Sequence, residues 1–234
     1  MSQPDLPVQL VIFDCDGVLI DSEIIAAHAQ SRALAPYGIA LTPRELALRF
    51  AGIPDRDQWQ TLQQEHGVTL PDHFEADYAD SLEAIFRNEL RALPHARELT
   101  DLLRARGIPY CVASSSERDR LRVNLGIAGL ADRFEPHLFS VTQVARGKPW
   151  PDLFLHAAAT MGVAPGHCLV VEDSVPGVRA ARAAGMRVVG DVAAGHIGPG
   201  HDARLREAGA FAIVDDLIEV APLLPAPASA AQPR

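Results

Sequence analysis

Six short apolar runs, rich in β-branched residues and separated by helical segments, constrain the fold of this chain more than any other feature. Such runs are typical of strands buried on both faces of a parallel sheet. Four of the intervening segments are predicted to end before a glycine, because glycine readily adopts the left-handed conformation that closes a helix. The alternation predicts an α/β fold with a doubly wound, Rossmann-like parallel sheet. The six runs span residues 8–13, 109–113, 137–141, 168–172, 186–190 and 211–214, and the four glycines are Gly107, Gly126, Gly162 and Gly185.

One stretch, from residue 20 to residue 92, interrupts this alternation with successive helices. Thr42 and Glu45 form a predicted capping box with Pro43 at the first helical position, and a later helix carries an amphipathic stripe from Phe74 to Leu90. We therefore predict an all-helical cap inserted into an α/β core after the first strand. The predicted division is 1–19 and 93–220 for the core, 20–92 for the cap and 221–234 for a mobile tail rich in Pro and Ala.

Composition excludes several classes of partner. The 234 residues carry a formal net charge of -9, which argues against general binding of nucleic-acid backbone. The sequence has neither a signal-peptide pattern nor an apolar window long enough for a membrane span, so we expect a cytoplasmic protein without a membrane partner. The cysteines, at 15, 111 and 168, form no CxxC pair and are expected in the core.

Polar residues collect where the predicted strands end. Asp14 and Asp16 follow the first strand, serines 114–116 follow the second, and the pair 172–173, Glu-Asp, follows the fourth. Lys148 precedes the helix before that fourth strand. Each signal alone has an ordinary explanation, such as helix capping, turn formation or a solvated charge. Because ligands bind outside the carboxyl ends of strands in an open α/β sheet, their convergence on one edge favours a functional site.

The residue types at this edge suit phosphoryl chemistry. Asp14, Glu172 and Asp173, with the backbone carbonyl of Asp16, offer the oxygen ligands that Mg²⁺ prefers. With its charge offset by this ion and by Lys148, a phosphoryl group can approach the Asp14 carboxylate, which can attack phosphorus and form an aspartyl-phosphate.

Two further roles complete this hypothesis. Ser114 and Ser115 can bind the phosphoryl group through hydroxyl and backbone N–H groups. Asp16, two positions after Asp14, can protonate the leaving oxygen and later activate water, provided that it carries a proton at the start.

The motifs FDCDGVLIDSE, VASSS, GKPWPD and VVEDSVPGVRAARAAGM resemble, in order and spacing, those of the haloacid dehalogenase superfamily. The resemblance covers residues 8–220 and points to the phosphatase branch with a small helical cap, which includes β-phosphoglucomutase and many sugar-phosphate phosphatases. It implies Asp14 as nucleophile and metal ligand, Asp16 as general acid/base, and Ser114 as phosphate-binding hydroxyl. It also implies Lys148 as charge clamp and Glu172 and Asp173 as the acidic metal pair.

Single residues separate related activities. Asp16 argues against carbon-halogen cleavage, which needs no protonation of an alcohol, and the absence of lysine from 20–92 argues against phosphonatase chemistry. β-Phosphoglucomutases carry a cap histidine twelve residues after the nucleophile, but Ala26 occupies that position here, and His28 points to a different face of the helix.

The cap is where such enzymes select a substrate. Several segments resemble phosphatases of the 6-phosphogluconate type, and Arg49 and Arg56, near Gly52, are candidates for binding a second anionic group on the substrate. Arg49 and Arg56 can equally be ordinary surface residues. For Arg44, in the same region, an ordinary surface position is the favoured interpretation.

We therefore predict a Mg²⁺-dependent phosphoric monoester hydrolase, an enzyme acting on a small phosphorylated metabolite, either a sugar phosphate or a sugar-acid phosphate such as 6-phosphogluconate. One alternative is a phosphosugar mutase. The other is a non-catalytic phosphoryl-binding or signalling protein, although receiver domains of that kind place the phosphorylated Asp after a middle strand and lack an inserted lid. We expect a monomer.

Overall fold

The structure is a computed structural model that describes residues 6–50, 53 and 55–225. All six predicted strands are present as β1 (Leu10–Phe13), β2 (Tyr110–Ser114), β3 (Leu138–Ser140), β4 (Cys168–Glu172), β5 (Arg187–Asp191) and β6 (Ala212–Val214). They form a single sheet in the order β3-β2-β1-β4-β5-β6, and every neighbouring pair is parallel. The order reverses next to β1, so its carboxyl end lies at the switch point where doubly wound sheets bind ligands.

The described part of the chain contains ten α-helices. They are α1 (Ser22–Leu34), α2 (Pro43–Phe50), α3 (Asp55–His66), α4 (Phe74–Glu89), α5 (Ala96–Ala105), α6 (Arg118–Ile127), α7 (Ala131–Phe134), α8 (Asp152–Thr160), α9 (Val175–Ala183) and α10 (His201–Ala208). Short 3₁₀ helices cover Ala35–Tyr37, Val141–Gln143, Pro165–His167 and Leu217–Leu223. None of the helices in this part of the chain is long and apolar enough to cross a membrane.

The sheet separates two apolar cores. Val11 and Phe13 of β1 belong to one buried cluster, whereas Leu10 and Ile12 belong to the other. Alternate residues of a strand point to opposite faces, so both faces of β1 are covered, as a buried parallel strand requires. The predicted doubly wound fold is confirmed. The three cysteines are free and buried in these cores, as predicted.

The insertion after β1 consists of helices α1–α4 and contains no strand among its described residues. Ile20 and Ala92 pair through an isolated antiparallel bridge, so the chain leaves the α/β layer and returns to it at neighbouring points. The predicted capping box is confirmed, because Thr42 N–H donates to Glu45 Oε2 at 2.8 Å and Glu45 N–H donates to Thr42 Oγ1 at 3.2 Å. We keep 20–92 as the predicted extent of the cap.

Two predicted boundaries are wrong. Helix α6 runs through Gly126 and ends at Ile127, and the left-handed residue after it is Gly129, with φ 68°. The predicted tail begins too early, because the 3₁₀ helix Leu217–Leu223 continues past 220 and Ala221 is buried. Arg106 holds this segment by donating from Nη1 to the Ala221 carbonyl at 3.0 Å. Residues 226–234 lie outside the described residues.

Candidate active site

The two aspartates of the first motif lie where β1 leaves the sheet. Asp14 follows the strand directly, and its N–H donates to the carbonyl of Val171 on β4 at 2.9 Å. Gly17 then takes a left-handed conformation with φ 83°, which suits glycine because it has no Cβ. This tight turn keeps Asp14 and Asp16 at the carboxyl edge of the sheet.

Three acidic side chains converge at this edge. Asp14, Glu172 and Asp173 are buried, and one ligand oxygen from each lies within 4.8 Å of the others. Lys148 reaches the cluster from the loop before α8, and its Nζ donates to Asp14 Oδ1 at 2.5 Å and to Glu172 Oε1 at 2.6 Å. The structure therefore brings together the predicted nucleophile, the predicted acidic pair and the predicted lysine.

The electrostatics of this cluster reflect a deficit of positive charge. Burial raises the pKa of Asp14 well above its usual range; Lys148 opposes this shift, and Glu172 and Asp173 add to it. Burial also raises the pKa of Asp173, and Glu172 contributes in the same direction. For Lys148, burial lowers the pKa, but the attraction of Asp14 and Glu172 outweighs it, so the ammonium form is favoured. One buried ammonium group thus faces three buried carboxyl groups, so these oxygens favour binding of a further cation.

Glu172 is fixed by the loop that follows β4. The backbone N–H and the hydroxyl of Ser174 both donate to Glu172 Oε2 at 2.8 Å. The Ser174 hydroxyl also caps α9 by accepting a hydrogen bond from Gly177 N–H at 3.1 Å. A Cβ on Gly177 would lie 1.7 Å from Glu172 Oε1, so the glycine makes room for the carboxylate. Sequence reasoning did not assign Ser174 or Gly177 a role, although both lie in the quoted fourth motif.

Asp16 is held by hydroxyl groups from two directions. Ser22, the first residue of α1, donates from Oγ to Asp16 Oδ1 at 2.6 Å, and Ser116 donates from Oγ to Asp16 Oδ2 at 2.7 Å. Ser114, at the end of β2, is almost completely buried and lies 3.5 Å from the same Oδ2, whereas Ser115 is exposed. Sequence reasoning gave no separate role to Ser22 or Ser116, because hydroxyl groups near a helix start are common and carry little specific signal.

The serines after β2 do not cap a helix. Helix α6 begins at Arg118, after Glu117, which makes no capping hydrogen bond from its side chain. The Ser114 hydroxyl instead accepts a hydrogen bond from Ser116 N–H at 3.0 Å within the turn. The segment is therefore a turn at the carboxyl end of the strand, and α6 begins further along the chain at Arg118.

Asp173 has partners that sequence reasoning missed. His196, in the loop after β5, places Nε2 3.2 Å from Asp173 Oδ2, and His201 Nε2 lies 2.5 Å from the Asp173 carbonyl oxygen. Burial lowers the pKa of His196, and its Nδ1 has no hydrogen-bond partner among the described residues. On the other side, a Cβ on Gly17 would lie 2.0 Å from Asp173 Oδ2. No local sequence motif predicts the contact between His196 and Asp173, because only the folded sheet brings the loop after β5 next to the end of β4.

The candidate substrate-binding residues of the insertion are exposed or lie outside the described residues. Arg49 is paired with Glu65 of α3 and lies over the ring of Phe50, with its guanidinium carbon 4.9 Å from the ring centroid. Arg56 is exposed, and so is Arg44. Gly52 lies outside the described residues.

The donor set at this edge fits a hard divalent cation. Asp14, Glu172 and Asp173 offer carboxylate oxygens, which are the ligands that Mg²⁺ takes in proteins. The raised pKa values of Asp14 and Asp173 indicate that added positive charge would stabilise their ionised forms. These residues can therefore hold the predicted ion.

The Asp14 carboxylate is buried at the switch point of the doubly wound sheet, paired with Lys148 and flanked by the acidic pair Glu172 and Asp173. This arrangement is the one that the sequence predicts for a hydrolase. The chain belongs to the haloacid dehalogenase-like hydrolases: the model of that family matches residues 8–185. The family resemblance predicted from the motifs is thus confirmed.

Known proteins of this family align over most of the chain. The 6-phosphogluconate phosphatase of Escherichia coli is 35% identical over 77% of this chain and 81% of its own length. Hexitol phosphatase B of the same organism is 33% identical over 76% of this chain and 81% of its own. A solved hydrolase from Deinococcus radiodurans, with bound phosphate and sodium, is 36% identical, covers 92% of this chain and 93% of that one, and has a TM-score of 0.81. The predicted enzyme class is confirmed: the chain is a hydrolase, and the curated relatives named here are phosphatases.

Proposed function

We propose that the chain is a Mg²⁺-dependent phosphatase that hydrolyses a small phosphorylated sugar or sugar acid through an aspartyl-phosphate. The observation that carries the proposal is the contact of Lys148 with both Asp14 and Glu172 inside the acidic cluster. A phosphoryl group brings about two negative charges to an acidic site, so it needs the cationic partners that this arrangement supplies. The names of the two curated relatives support both a sugar-acid phosphate and a neutral sugar-alcohol phosphate as substrate.

Asp14 is the proposed nucleophile. Its carboxylate oxygen forms a bond to phosphorus while the bond from phosphorus to the substrate oxygen breaks, and Asp16 gives its proton to that leaving oxygen. Lys148 keeps Asp14 oriented and offsets its charge, and Ser114 and Ser115 are proposed to bind the phosphoryl oxygens. Asp16 then takes a proton from water as the water oxygen attacks phosphorus, which releases phosphate and restores Asp14.

Asp14, Glu172 and Asp173, with the carbonyl of Asp16, are the residues proposed to hold Mg²⁺. When bound, the ion supplies positive charge that reduces repulsion between carboxylates and phosphoryl oxygens. Ser174 and His196 are not proposed ligands, but they orient two of them. Ser174 donates to Glu172, and His196 contacts Asp173.

We propose that helices α1–α4 form the cap predicted at 20–92 and cover this site. Ser22 links the two parts because it belongs to α1 and donates to Asp16. A cap that closes over the site excludes water during phosphoryl transfer and opens for the second step. Arg49, Gly52 and Arg56 remain proposed contacts to the substrate. We also propose a cytoplasmic monomer.

Phosphate release tests the proposed function. We expect the native chain to release phosphate from a panel of sugar phosphates in the presence of Mg²⁺ and to lose this activity with EDTA or with Asp14→Asn. Absence of release from every panel member would contradict the proposal and favour a binding or signalling role. Isomerised phosphosugar in place of free phosphate would indicate the mutase alternative.

The metal assignment has its own test. We expect Asp173→Asn to weaken Mg²⁺ binding, measured by calorimetry, by about 100-fold because it removes a carboxylate ligand. Ser115→Ala, which changes an exposed hydroxyl, should leave metal affinity unchanged. Equal effects of the two substitutions would show that the assignment is wrong.

A further inference from the structure

We propose that Ser140 is a positioning residue for the proposed general acid Asp16, and that it acts through Ser116. Ser140 is the last residue of β3 and lies outside the four motifs at the edge of the sheet. The inference rests on the proposed function, because it names a further residue on which protonation of the leaving oxygen depends. It predicts that loss of the Ser140 hydroxyl selectively slows substrates whose leaving oxygen needs a proton.

The backbone pairing of β2 and β3 ends just before the turn that contacts Asp16. The two strands are parallel, and their last paired residues are Ser114 and Ser140. The Ser140 hydroxyl continues the connection by donating from Oγ to the Ser116 carbonyl at 2.7 Å. A side chain of β3 therefore holds the backbone of the turn at the point where strand pairing stops.

The surroundings of Ser140 direct its hydroxyl proton to this carbonyl. Its Oγ accepts a hydrogen bond from Thr142 N–H at 3.2 Å and lies 3.1 Å from Thr142 Oγ1. The Ser140 N–H donates to Gln143 Oε1 at 2.8 Å, which completes a capping box. A serine hydroxyl has one proton, and the Ser116 carbonyl receives it, so Thr142 is the donor between the two hydroxyls. Ser140 is fully buried, which shields these bonds from bulk water.

The turn that Ser140 holds carries a contact to the general acid. Ser116 donates from Oγ to Asp16 Oδ2 at 2.7 Å, and its N–H donates to Ser114 Oγ at 3.0 Å. The carbonyl, the N–H and the hydroxyl of Ser116 thus each have a partner, so the residue is fixed in one orientation. Ser22 donates to the other oxygen of Asp16. Ser116, held by Ser140, therefore supplies one of the two hydroxyl contacts that orient Asp16.

The orientation of Asp16 matters for the leaving oxygen. As the bond from phosphorus to the substrate oxygen breaks, Asp16 gives its proton to that oxygen. The alcohol oxygen of a sugar needs this proton, whereas 2,4-dinitrophenolate is a stable anion and leaves without it. Loss of the Ser140 hydroxyl should therefore slow sugar phosphates more than 2,4-dinitrophenyl phosphate. A smaller folded fraction or weaker phosphate binding would slow both substrates alike.

A ratio of two kcat/KM values, here called the leaving-group ratio, measures this effect. It divides kcat/KM for 2,4-dinitrophenyl phosphate by kcat/KM for the sugar phosphate of the panel that the native chain hydrolyses fastest. Both values come from one sample, so the ratio is independent of the folded fraction, and kcat/KM excludes the later hydrolysis of the aspartyl-phosphate. We expect Ser140→Ala to raise the ratio about tenfold and Asp16→Asn, the positive control, to raise it at least about 100-fold.

A double-mutant cycle tests the route through Ser116. Ser116→Ala should raise the leaving-group ratio about as much as Ser140→Ala, and the double variant should raise it no further than Ser116→Ala alone. Thr100→Val is the matched control and should leave the ratio unchanged. Thr100 is also fully buried and donates its hydroxyl to a backbone carbonyl, that of Arg97, at 2.8 Å, but it belongs to α5. Ser140→Cys, which keeps the shape of the side chain with a weaker donor, replaces Ser140→Ala if that variant does not fold.

An unchanged ratio in the variants at 140, an equal rise in Thr100→Val, or multiplied effects in the double variant would overturn the inference. If Asp16→Asn raises the ratio while the variants at 140 do not, the proposed function stands and only the role of Ser140 is wrong. Absence of phosphate release by the native chain from every panel member would contradict the proposed function, and this inference with it.

Discussion

Lys148 Nζ lies 2.5 Å from Asp14 Oδ1, although 134 positions separate the two residues in the sequence. The same ammonium group contacts Glu172, and the lysine side chain is only 4% exposed. Lys148 is also the only lysine among the 234 residues, so every lysine-specific measurement reports on this contact. The lysine thereby joins the loop before α8 to the ends of β1 and β4.

The burial of Lys148 predicts low reactivity. Its two carboxylate partners favour the charged form, which does not attack amine-reactive reagents. We expect trinitrobenzenesulfonate at pH 9 to modify Lys148 at least about 100-fold more slowly in the folded chain than in urea, as measured by peptide mass spectrometry. The α-amino group of the same molecule serves as the internal control. Similar rates in the folded and unfolded chains would contradict the buried ion pair.

Removal of the lysine should cost both activity and stability. Lys148→Met leaves Asp14 and Glu172 buried without their cation, and breaking a buried pair costs about 3–5 kcal/mol of unfolding free energy. We expect phosphate release to fall at least about 1000-fold and the urea midpoint to decrease in metal-free buffer. The double variant with Asp14→Asn should regain part of the stability but none of the activity. Additive losses of stability in the double variant would show that the two groups do not interact.

The close approach of Gly17 to Asp173 predicts a steric effect on metal binding. Alanine at 17 would place a Cβ 2.0 Å from Asp173 Oδ2. We expect Gly17→Ala to lower Mg²⁺ affinity, measured by calorimetry, by about 10- to 100-fold. Gly162→Ala is the matched control, because Gly162 has φ 71° but open space around its Cβ position. Both variants place a Cβ on a residue with positive φ, which costs about 1–2 kcal/mol of unfolding free energy. Only a lower metal affinity of Gly17→Ala than of Gly162→Ala therefore supports the contact.

Asp191 predicts a pH-dependent loss of stability. Its side chain is fully buried, Oδ1 accepts from Ala193 N–H at 2.9 Å, and Oδ2 has no hydrogen-bond partner within the described ranges. Burial raises the pKa of this carboxyl to about 7 in the folded chain. The unfolded chain releases the same proton near pH 4, so this group lowers the unfolding free energy increasingly from about pH 4 to about pH 7.

Asp191→Asn should remove this loss while keeping the contact to Ala193. The difference in unfolding free energy between the variant and the native chain should be larger at pH 8.5 than at pH 5, by at most about 3 kcal/mol, because part of the native chain's loss is already present at pH 5. Urea denaturation at the two pH values measures the change. Asp80→Asn, at an exposed position of α4, should show no such gain. A difference between variant and native chain that does not change with pH would refute the assignment.

Local sequence patterns were sufficient to predict the strands. All six runs form strands, and every residue of β1, β2, β3 and β4 is buried, so the apolar character that predicts a strand is required at each position of a short segment. The ends of helices were less predictable. Gly126 lies inside α6 and Gly129 follows it, since glycine permits a left-handed conformation without requiring one.

The sequence by itself determined the parallel sheet and the four motifs that lie at its carboxyl edge, because apolar periodicity and acidic spacing are properties of short segments. Only the tertiary structure decided which groups surround them. His196 contacts Asp173, and Ser22 and Ser116 contact Asp16, through loops and helices that have no shared local signal. The interaction between two charges depends on their distance and burial in space, which their separation along the chain does not fix.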